Sequence, residues 1–286
     1  MLRIALPNKG RLAGETRELF EEAGLDVRLS SDRSLTASLG GEFQGLFVNA
    51  QDIPEFVADG AADAGVTGWD LVQESDRGLR TLLDLEFGRC RLVLAAHEES
   101  GISAVDDLPR APRVATVFPR SAARYLRSLG RDPVIVPVTG AVEVAPHLGI
   151  AQLIVDLTST GSTLRTNGLR ELATILVSSA RLIAADVPRD ADRCRAMDDL
   201  VTALTSVLRA RGRRYVMANV PRAALPRVKE VLPGLTGPTV VDILDGGVFV
   251  AVHAVVSAEA IYRTIAQLKA LGGEGILVTR IERLMP

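Results

Sequence analysis

Short apolar runs that alternate with helical segments constrain this chain more than any single residue does. The runs are Leu2–Leu6, Gly45–Asn49, Ala64–Thr67, Arg91–Ala96, Arg113–Val117, Val134–Pro137 and Gln152–Leu157. Leu12–Ala23 carries helical spacing and stops at Gly24, Asp52–Asp59 leads into Gly60, and Gly68-Trp69-Asp70 turns into a further helix. A parallel strand pair needs a crossover long enough to hold a helix, so this alternation predicts an α/β architecture with parallel sheet. With 286 residues, two or three folding units are expected, and a second α/β lobe is read from about residue 92.

The pattern changes near the C-terminus. Met197, Leu200, Val201, Leu204, Val207 and Leu208 mark an amphipathic helix over about 193–211, with Gly212 as its C-terminal cap. Tyr215–Val220 reads as a strand, and Pro221 opens a helix that ends at Pro233. Thr239–Leu244 and Val248–Val256 read as strands joined by a hairpin turn at Asp245-Gly246-Gly247. Ser257 caps a helix to Leu271, Gly272-Gly273 stops it, and Gly275–Ile281 is a last strand. That β-α-β-β-α-β order is the ferredoxin-like unit.

The charge balance limits the partners. Lys+Arg 33 against Asp+Glu 35 gives a net charge of −2, so no global field favours nucleic acid or an anionic membrane. Anionic substrates must then meet a local cluster of donors. Cys90 and Cys194 lie far apart, and His97, His147 and His253 are equally isolated along the chain, so neither a disulfide nor a protein-built zinc site is expected. The N-terminal apolar run is too short for a signal peptide, and no stretch is apolar enough to span a bilayer, so a cytoplasmic location is expected.

The richest segment is Ala151 to Leu164. A strand runs out into Asp156, then into Thr158-Ser159-Thr160-Gly161-Ser162-Thr163, then into a helix. Amides at a helix start carry partial positive charge, hydroxyls add donors, and Gly161 lets backbone approach an anion, so the segment suits a sugar phosphate. Asp156 would accept hydrogen bonds from the sugar hydroxyls. The alternative is a capped helix whose hydroxyls serve only the backbone, though five hydroxyl residues in six positions exceed what a cap needs. Neither a Walker loop nor a dinucleotide fingerprint is present.

At the end of the first strand, Pro7-Asn8-Lys9-Gly10-Arg11 places Lys9 where open α/β sheets bind ligands. Lys9 is one of only three lysines, with Lys229 and Lys269, and the only one in a strand-end turn. A pyrophosphate contact and a solvated surface charge both remain open for it. Asp70 reads either as an N-cap or as a site residue. Phe118 could stack on a purine or belong to the core, Glu143 is equally open, and His147 is read as structural.

Taken together, these segments resemble the ATP phosphoribosyltransferase family in its long form. Ile4-Ala5-Leu6-Pro7-Asn8-Lys9-Gly10-Arg11-Leu12 resembles that family's N-terminus, and Asp52-Ile53-Pro54 with Gly60–Gly68 its second block. The run Gly140–Leu164 resembles the family signature, Ser178–Ala184 a further stretch, and Pro233-Gly234-Leu235 with Gly237-Pro238-Thr239 the regulatory domain.

That resemblance implies two catalytic lobes like those of type II periplasmic binding proteins. Residues 1–91 and 178–212 would form lobe I, 92–177 lobe II with the phosphoribosyl loop, and 213–286 the regulatory domain. The reaction implied joins ATP to the phosphoribosyl group of phosphoribosyl pyrophosphate and releases pyrophosphate, with Mg²⁺ held mainly by substrate phosphates. Asp156 and Lys9 would be catalytic. Gly10, Arg11, Asp70, Ser159, Thr160, Gly161, Ser162 and Thr163 would bind substrate, and Asn219 and Thr239 would lie at an inhibitory histidine site. A homo-oligomer, dimer to hexamer, is implied. The chain departs from the family at Asn49, where relatives carry arginine, with Gln51 nearby, and at Gln152 and Arg120, where Asp and Asn are usual. Two rivals remain: a purine-salvage phosphoribosyltransferase, whose loop usually carries paired acids, and a degenerate paralogue acting as a sensor or solute-binding protein.

Overall fold

The computed structural model describes residues 1–29, 35–186, 190–244 and 247–285. The first passage runs β1 (Leu2–Pro7), α1 (Ala13–Glu22), β2 (Arg28–Leu29), β3 (Thr36–Ser38), β4 (Phe43–Val48), α2 (Ile53–Ala58), β5 (Ala64–Gly68), α3 (Trp69–Ser75) and β6 (Leu79–Asp84). A second passage follows with β7 (Cys90–His97), β8 (Arg113–Thr116), α4 (Pro119–Ser128), β9 (Val134–Pro137), β10 (Leu153–Thr158), α5 (Ser162–Thr166) and β11 (Leu169–Ser178). The chain then returns as β12 (Ala180–Ala185) and α6 (Ala191–Ala210).

Two sheets result, ordered β2-β3-β4-β1-β5-β12-β6 and β11-β7-β10-β8-β9. β1 lies parallel between β4 and β5 at the centre of the first sheet, and β8 parallel between β10 and β9 along one side of the second, so the expected parallel pairing is present in both. The sheets are mixed, however. β12 runs antiparallel to β5 and β6, and β7 antiparallel to β10 and β11. These are the strands at which the chain passes between sheets, where no crossover helix brings the backbone round to a parallel course. The two crossings lie side by side: Leu85 N–H donates to the Ala180 carbonyl at 3.0 Å, and Ala180 N–H to the Phe87 carbonyl at 2.9 Å. The outcome is a two-lobed α/β arrangement, one lobe built on each sheet.

Burial follows from this layout. In β1 every residue but Arg3 is buried, because helices cover both faces of a central parallel strand. The second lobe packs Leu92, Leu94, Val114, Leu126 and Leu153 around Phe118. The two compact units of the chain are Met1–Val201 and Thr202–Pro286, the division falling within α6. Among the described residues, no helix is long and apolar enough to cross a membrane.

The C-terminal unit comprises β13 (Arg213–Pro221), α7 (Leu225–Val231), β14 (Thr239–Asp242), β15 (Phe249–Ser257), α8 (Ile261–Ala270) and β16 (Glu274–Arg280). Its antiparallel sheet has the order β14-β15-β13-β16, the ferredoxin-like arrangement. Alternation does the work: Val216, Ala218 and Val220 on β13 and Val250, Val252 and Ala254 on β15 point to one face, where Val228, Leu232 and Leu268 cover them. The intervening residues Tyr215, Met217 and Asn219 take the other face. Two local expectations need correction. The helix expected to open at Pro221 starts only at Leu225, with a proline in its first turn, because β13 extends through Pro221 and a short 3-10 turn follows. Ser257 is the last residue of β15; a 3-10 turn separates it from α8, and its side chain caps nothing. The expected turn at Asp245-Gly246-Gly247 lies in part outside the described residues.

Candidate active site

Three strand ends converge on one cleft. β1 delivers Lys9, Gly10 and Arg11, the β5–α3 junction delivers Asp70, and β10 delivers Asp156; all five line a cleft of 250 Å³, together with Gln51 and Phe118. This is where open sheets concentrate ligands, because strand ends present turns and helix starts. Phe118 is only 3% exposed, so it belongs to the second lobe's core even where it lines the cleft.

Asp70 is not an N-cap. Gly68 holds that position in extended backbone, and Asp70 sits in the first turn of α3 with its side chain 1% exposed. Its Oδ1 accepts from Arg11 Nη2 at 2.8 Å and from the Ser178 hydroxyl, while its own N–H donates to Ser178 Oγ at 3.0 Å. Its Oδ2 is buried without a partner among the described residues. Arg11 also donates to the Gly88 carbonyl. Arg11 and Asp70 thus tie the β1 and β5 ends to both crossings between the sheets. Lys9, by contrast, is exposed and pairs with no described residue, so its ammonium is available to an anion.

Arg11→Ala would leave the buried Asp70 carboxylate with a hydroxyl as its sole charge-stabilising partner. Removing one member of a buried ion pair is costly, and discounting for the half-exposed arginine leaves about 2 kcal/mol. A thermal midpoint about 5 °C lower is therefore expected by calorimetry. A midpoint within about 1 °C of the wild type would contradict this role.

Asp156 is half-buried at the end of β10, with Oδ1 accepting the Leu157 N–H at 2.8 Å. Burial pushes its carboxyl above the ordinary aspartate range; the Leu157 hydrogen bond opposes this and the charge of Glu143 adds to it. The hydroxyl loop follows directly. Gly161 has φ of 75° and starts α5, its N–H donating to Thr158 Oγ1 at 2.8 Å. A side chain there would adopt a left-handed backbone and meet the Arg165 guanidinium at 3.0 Å. Thr160 and Ser162 share a hydroxyl–hydroxyl bond of 2.9 Å, and Ser159, Thr160, Ser162 and Thr163 are all exposed. These four hydroxyls adjoin the cleft in sequence but are not among its lining residues.

The positions expected to depart from the family have identifiable surroundings. Gln51 lines the cleft, the Asn49 carbonyl accepts from Asp52 N–H at 3.0 Å, and Gln152 Oε1 accepts from Arg113 N–H at 3.2 Å. His97 and His147 are not isolated in space: their rings meet edge-on at 4.7 Å, and His147 Nε2 lies 3.0 Å from the Asn167 carbonyl. In the C-terminal unit, Asn219 pairs with Ala251 and Thr239 with His253. Directly paired residues share a face, so Asn219 and Thr239 lie on the helix-free face, diagonally across β15.

Two sequence families match. The profile of ATP phosphoribosyltransferase matches residues 49–206, and that of the HisG C-terminal domain matches residues 210–283. An ATP phosphoribosyltransferase of Gemmatimonas aurantiaca is 68% identical across 100% of both chains. This chain belongs to the ATP phosphoribosyltransferase family. It is a long form, carrying the family's C-terminal domain. Other ATP phosphoribosyltransferases are 50% identical in Natronomonas pharaonis and 45% identical in Methanothermobacter thermautotrophicus, each over 100% of this chain and at least 99% of the relative. Among solved structures, the ATP phosphoribosyl transferase (HisG:HisZ) complex of Thermotoga maritima contains a chain with TM-score 0.62 and 31% identity, covering 72% of this chain and 96% of that one. Full-length identity of this kind does not favour the sensor or solute-binding alternative.

The sequence did not point to Ser178 or Gly88 as partners of the Arg11–Asp70 pair. Only a contact-level signal could have found them, since Ser178 lies 108 positions from Asp70.

Proposed function

We propose that this chain transfers the 5-phosphoribosyl group of phosphoribosyl pyrophosphate to N1 of ATP, giving phosphoribosyl-ATP and pyrophosphate, the first step of histidine biosynthesis. The observation that carries this reading is the convergence of Lys9, Arg11, Asp70 and Asp156 on one cleft, with Ser159–Thr163 continuing from the same strand end. N1 of adenine already holds a lone pair, so the site needs no activated Ser or Cys nucleophile. Its task is alignment and charge stabilisation. Asp156 sits where an electron-poor ribose would gain from a carboxylate. The loop hydroxyls suit the 5′-phosphate, and Lys9, with Arg11 behind it, suits the departing pyrophosphate.

Mg²⁺ fits this donor set as a companion of the substrate. No cluster of three or more metal-ligating side chains occurs among the described residues, and Asp70 is committed to Arg11. Asp156 is the cleft carboxylate left to help hold an ion bound chiefly by phosphate oxygens and water. Such an ion would neutralise charge on the leaving pyrophosphate. In the same reading, histidine inhibits from the open face of the C-terminal sheet, near Asn219 and Thr239. The enzyme works as a homo-oligomer, up to a hexamer, in the cytoplasm.

The decisive assay mixes the purified chain with ATP, phosphoribosyl pyrophosphate and Mg²⁺. Pyrophosphate and a nucleotide ribosylated at N1 should appear together, and histidine should suppress both. Failure to release pyrophosphate when both substrates are present would overturn the proposal.

A further inference from the structure

Behind the cleft, two helices from different lobes grip each other end to end. The carboxylate of Glu74, near the C-terminus of α3, reaches the N-terminus of α4: its Oε1 accepts the Arg120 N–H at 2.8 Å and its Oε2 the Ser121 N–H at 2.9 Å. Arg120 returns the contact, its Nη1 donating to the carbonyl of Glu74 at 3.3 Å and to that of Ser75. Arg124, one turn further along α4, donates to the Gln73 carbonyl at 3.1 Å and to the Asp76 carboxylate at 3.2 Å. A negative group thus satisfies the amides that open one helix, and two guanidinium groups satisfy the carbonyls that close the other. Each charge meets the helix end of opposite partial charge.

Both helices end on the reaction site. α3 starts at Trp69 and carries Asp70 and Leu71 on the cleft, Asp70 lying about 6 Å along the helix from Glu74 at 1.5 Å per residue. α4 follows directly on Val117 and Phe118, which line the same cleft from the other lobe. The backbone itself passes between the lobes near Leu85–Cys90 and again near Ser178–Ala180.

We infer that Glu74 and Arg120 are positioning residues for phosphoribosyl transfer: their reciprocal clasp between α3 and α4 sets the register of the two lobes and so aligns the groups each presents to the cleft. This rests on the proposed reaction, in which an adenine and an anomeric carbon must be held within a few tenths of an ångström of attack geometry. Loss of alignment should lower kcat and kcat/KM together, leaving KM little changed.

The test uses the full-length protein and the variants Glu74→Ala, Arg120→Ala and Arg120→Lys, with amide hydrogen exchange alongside steady-state kinetics. In Glu74→Ala, the amides of Arg120 and Ser121 should exchange at least about tenfold faster while Leu126 in the same helix is unchanged, and kcat per folded molecule should fall about tenfold. Arg120→Lys keeps a cation at the end of α3 and should recover at least half the loss seen in Arg120→Ala. The double variant Glu74→Ala with Arg120→Ala should be little worse than either single one, because each change breaks the same clasp. If wild-type protein turns over and kcat in both alanine variants stays within about twofold of it, the clasp is only structural and the inference falls. If the wild type itself makes no phosphoribosyl-ATP, the functional proposal has failed instead, and the positioning role falls with it.

Discussion

Asp156→Ala should lower kcat by about a hundredfold or more without unfolding the chain. The estimate follows from what removal of one preorganised electrostatic stabiliser costs in enzymes generally. Asp156 occupies a half-buried position beside Glu143, where both burial and that neighbouring charge disfavour its ionised form. The carboxyl is therefore raised in the folded state relative to the unfolded one. Its favourable contribution to stability is complete at pH below the unfolded value and is lost as pH rises through the folded value. Above the folded value the protein thus keeps a carboxylate that costs it stability. Asp156→Asn should then have a thermal midpoint at or above that of the wild type near pH 7, and the gap should close in acid, where both side chains are neutral. If only the ionised form assists the ribose, the acid limb of the wild-type pH–rate profile should lie above the ordinary aspartate range. Turnover close to normal in either variant would show that the cleft has been assigned wrongly.

Removing residues 213–286 should abolish inhibition by histidine. The C-terminal sheet builds its own core from Val216, Val220, Val250, Val252 and Leu268, with contributions from α7 and α8. It leaves its second face, with Asn219, Thr239 and the Tyr215–His253 hydrogen bond, uncovered by its own helices. Inhibition from such a face is a coupling between two sites, and coupling in binding is reciprocal: a factor by which histidine weakens substrate binding is the factor by which substrate weakens histidine binding. Histidine titrations of pyrophosphate release in the full and shortened chains measure this directly. A shortened enzyme that histidine still inhibits with undiminished strength would place the inhibitory site elsewhere.

Much of this architecture is written in local patterns. The apolar runs of β1 and β10, the hydroxyls after Asp156 and the period-2 alternation of β13 and β15 each reflect forces acting within a few residues, so they can be read from sequence. Contacts made across the fold cannot. Arg11 and Asp70 stand 59 positions apart, and nothing near either signals that the guanidinium faces a buried carboxylate rather than solvent. The same limit hid the meeting of His97 with His147, and the antiparallel course of β7 and β12, which depends on how the chain passes between sheets. Asp70 shows the limit most clearly: an acid at a strand-to-helix turn has the local signature of a cap, and only its burial distinguishes the two roles.

The place of β12 between β5 and β6 has a consequence for the nascent chain. β6 emerges from the ribosome long before the strand that joins it to β5, so the earlier sheet must wait, split and with open edges, until the whole of the later one has been synthesised. Unpaired strand edges invite association with other chains. Translation that stalls between Asp84 and Ala180 should therefore release fragments far more prone to aggregate than those from any later pause.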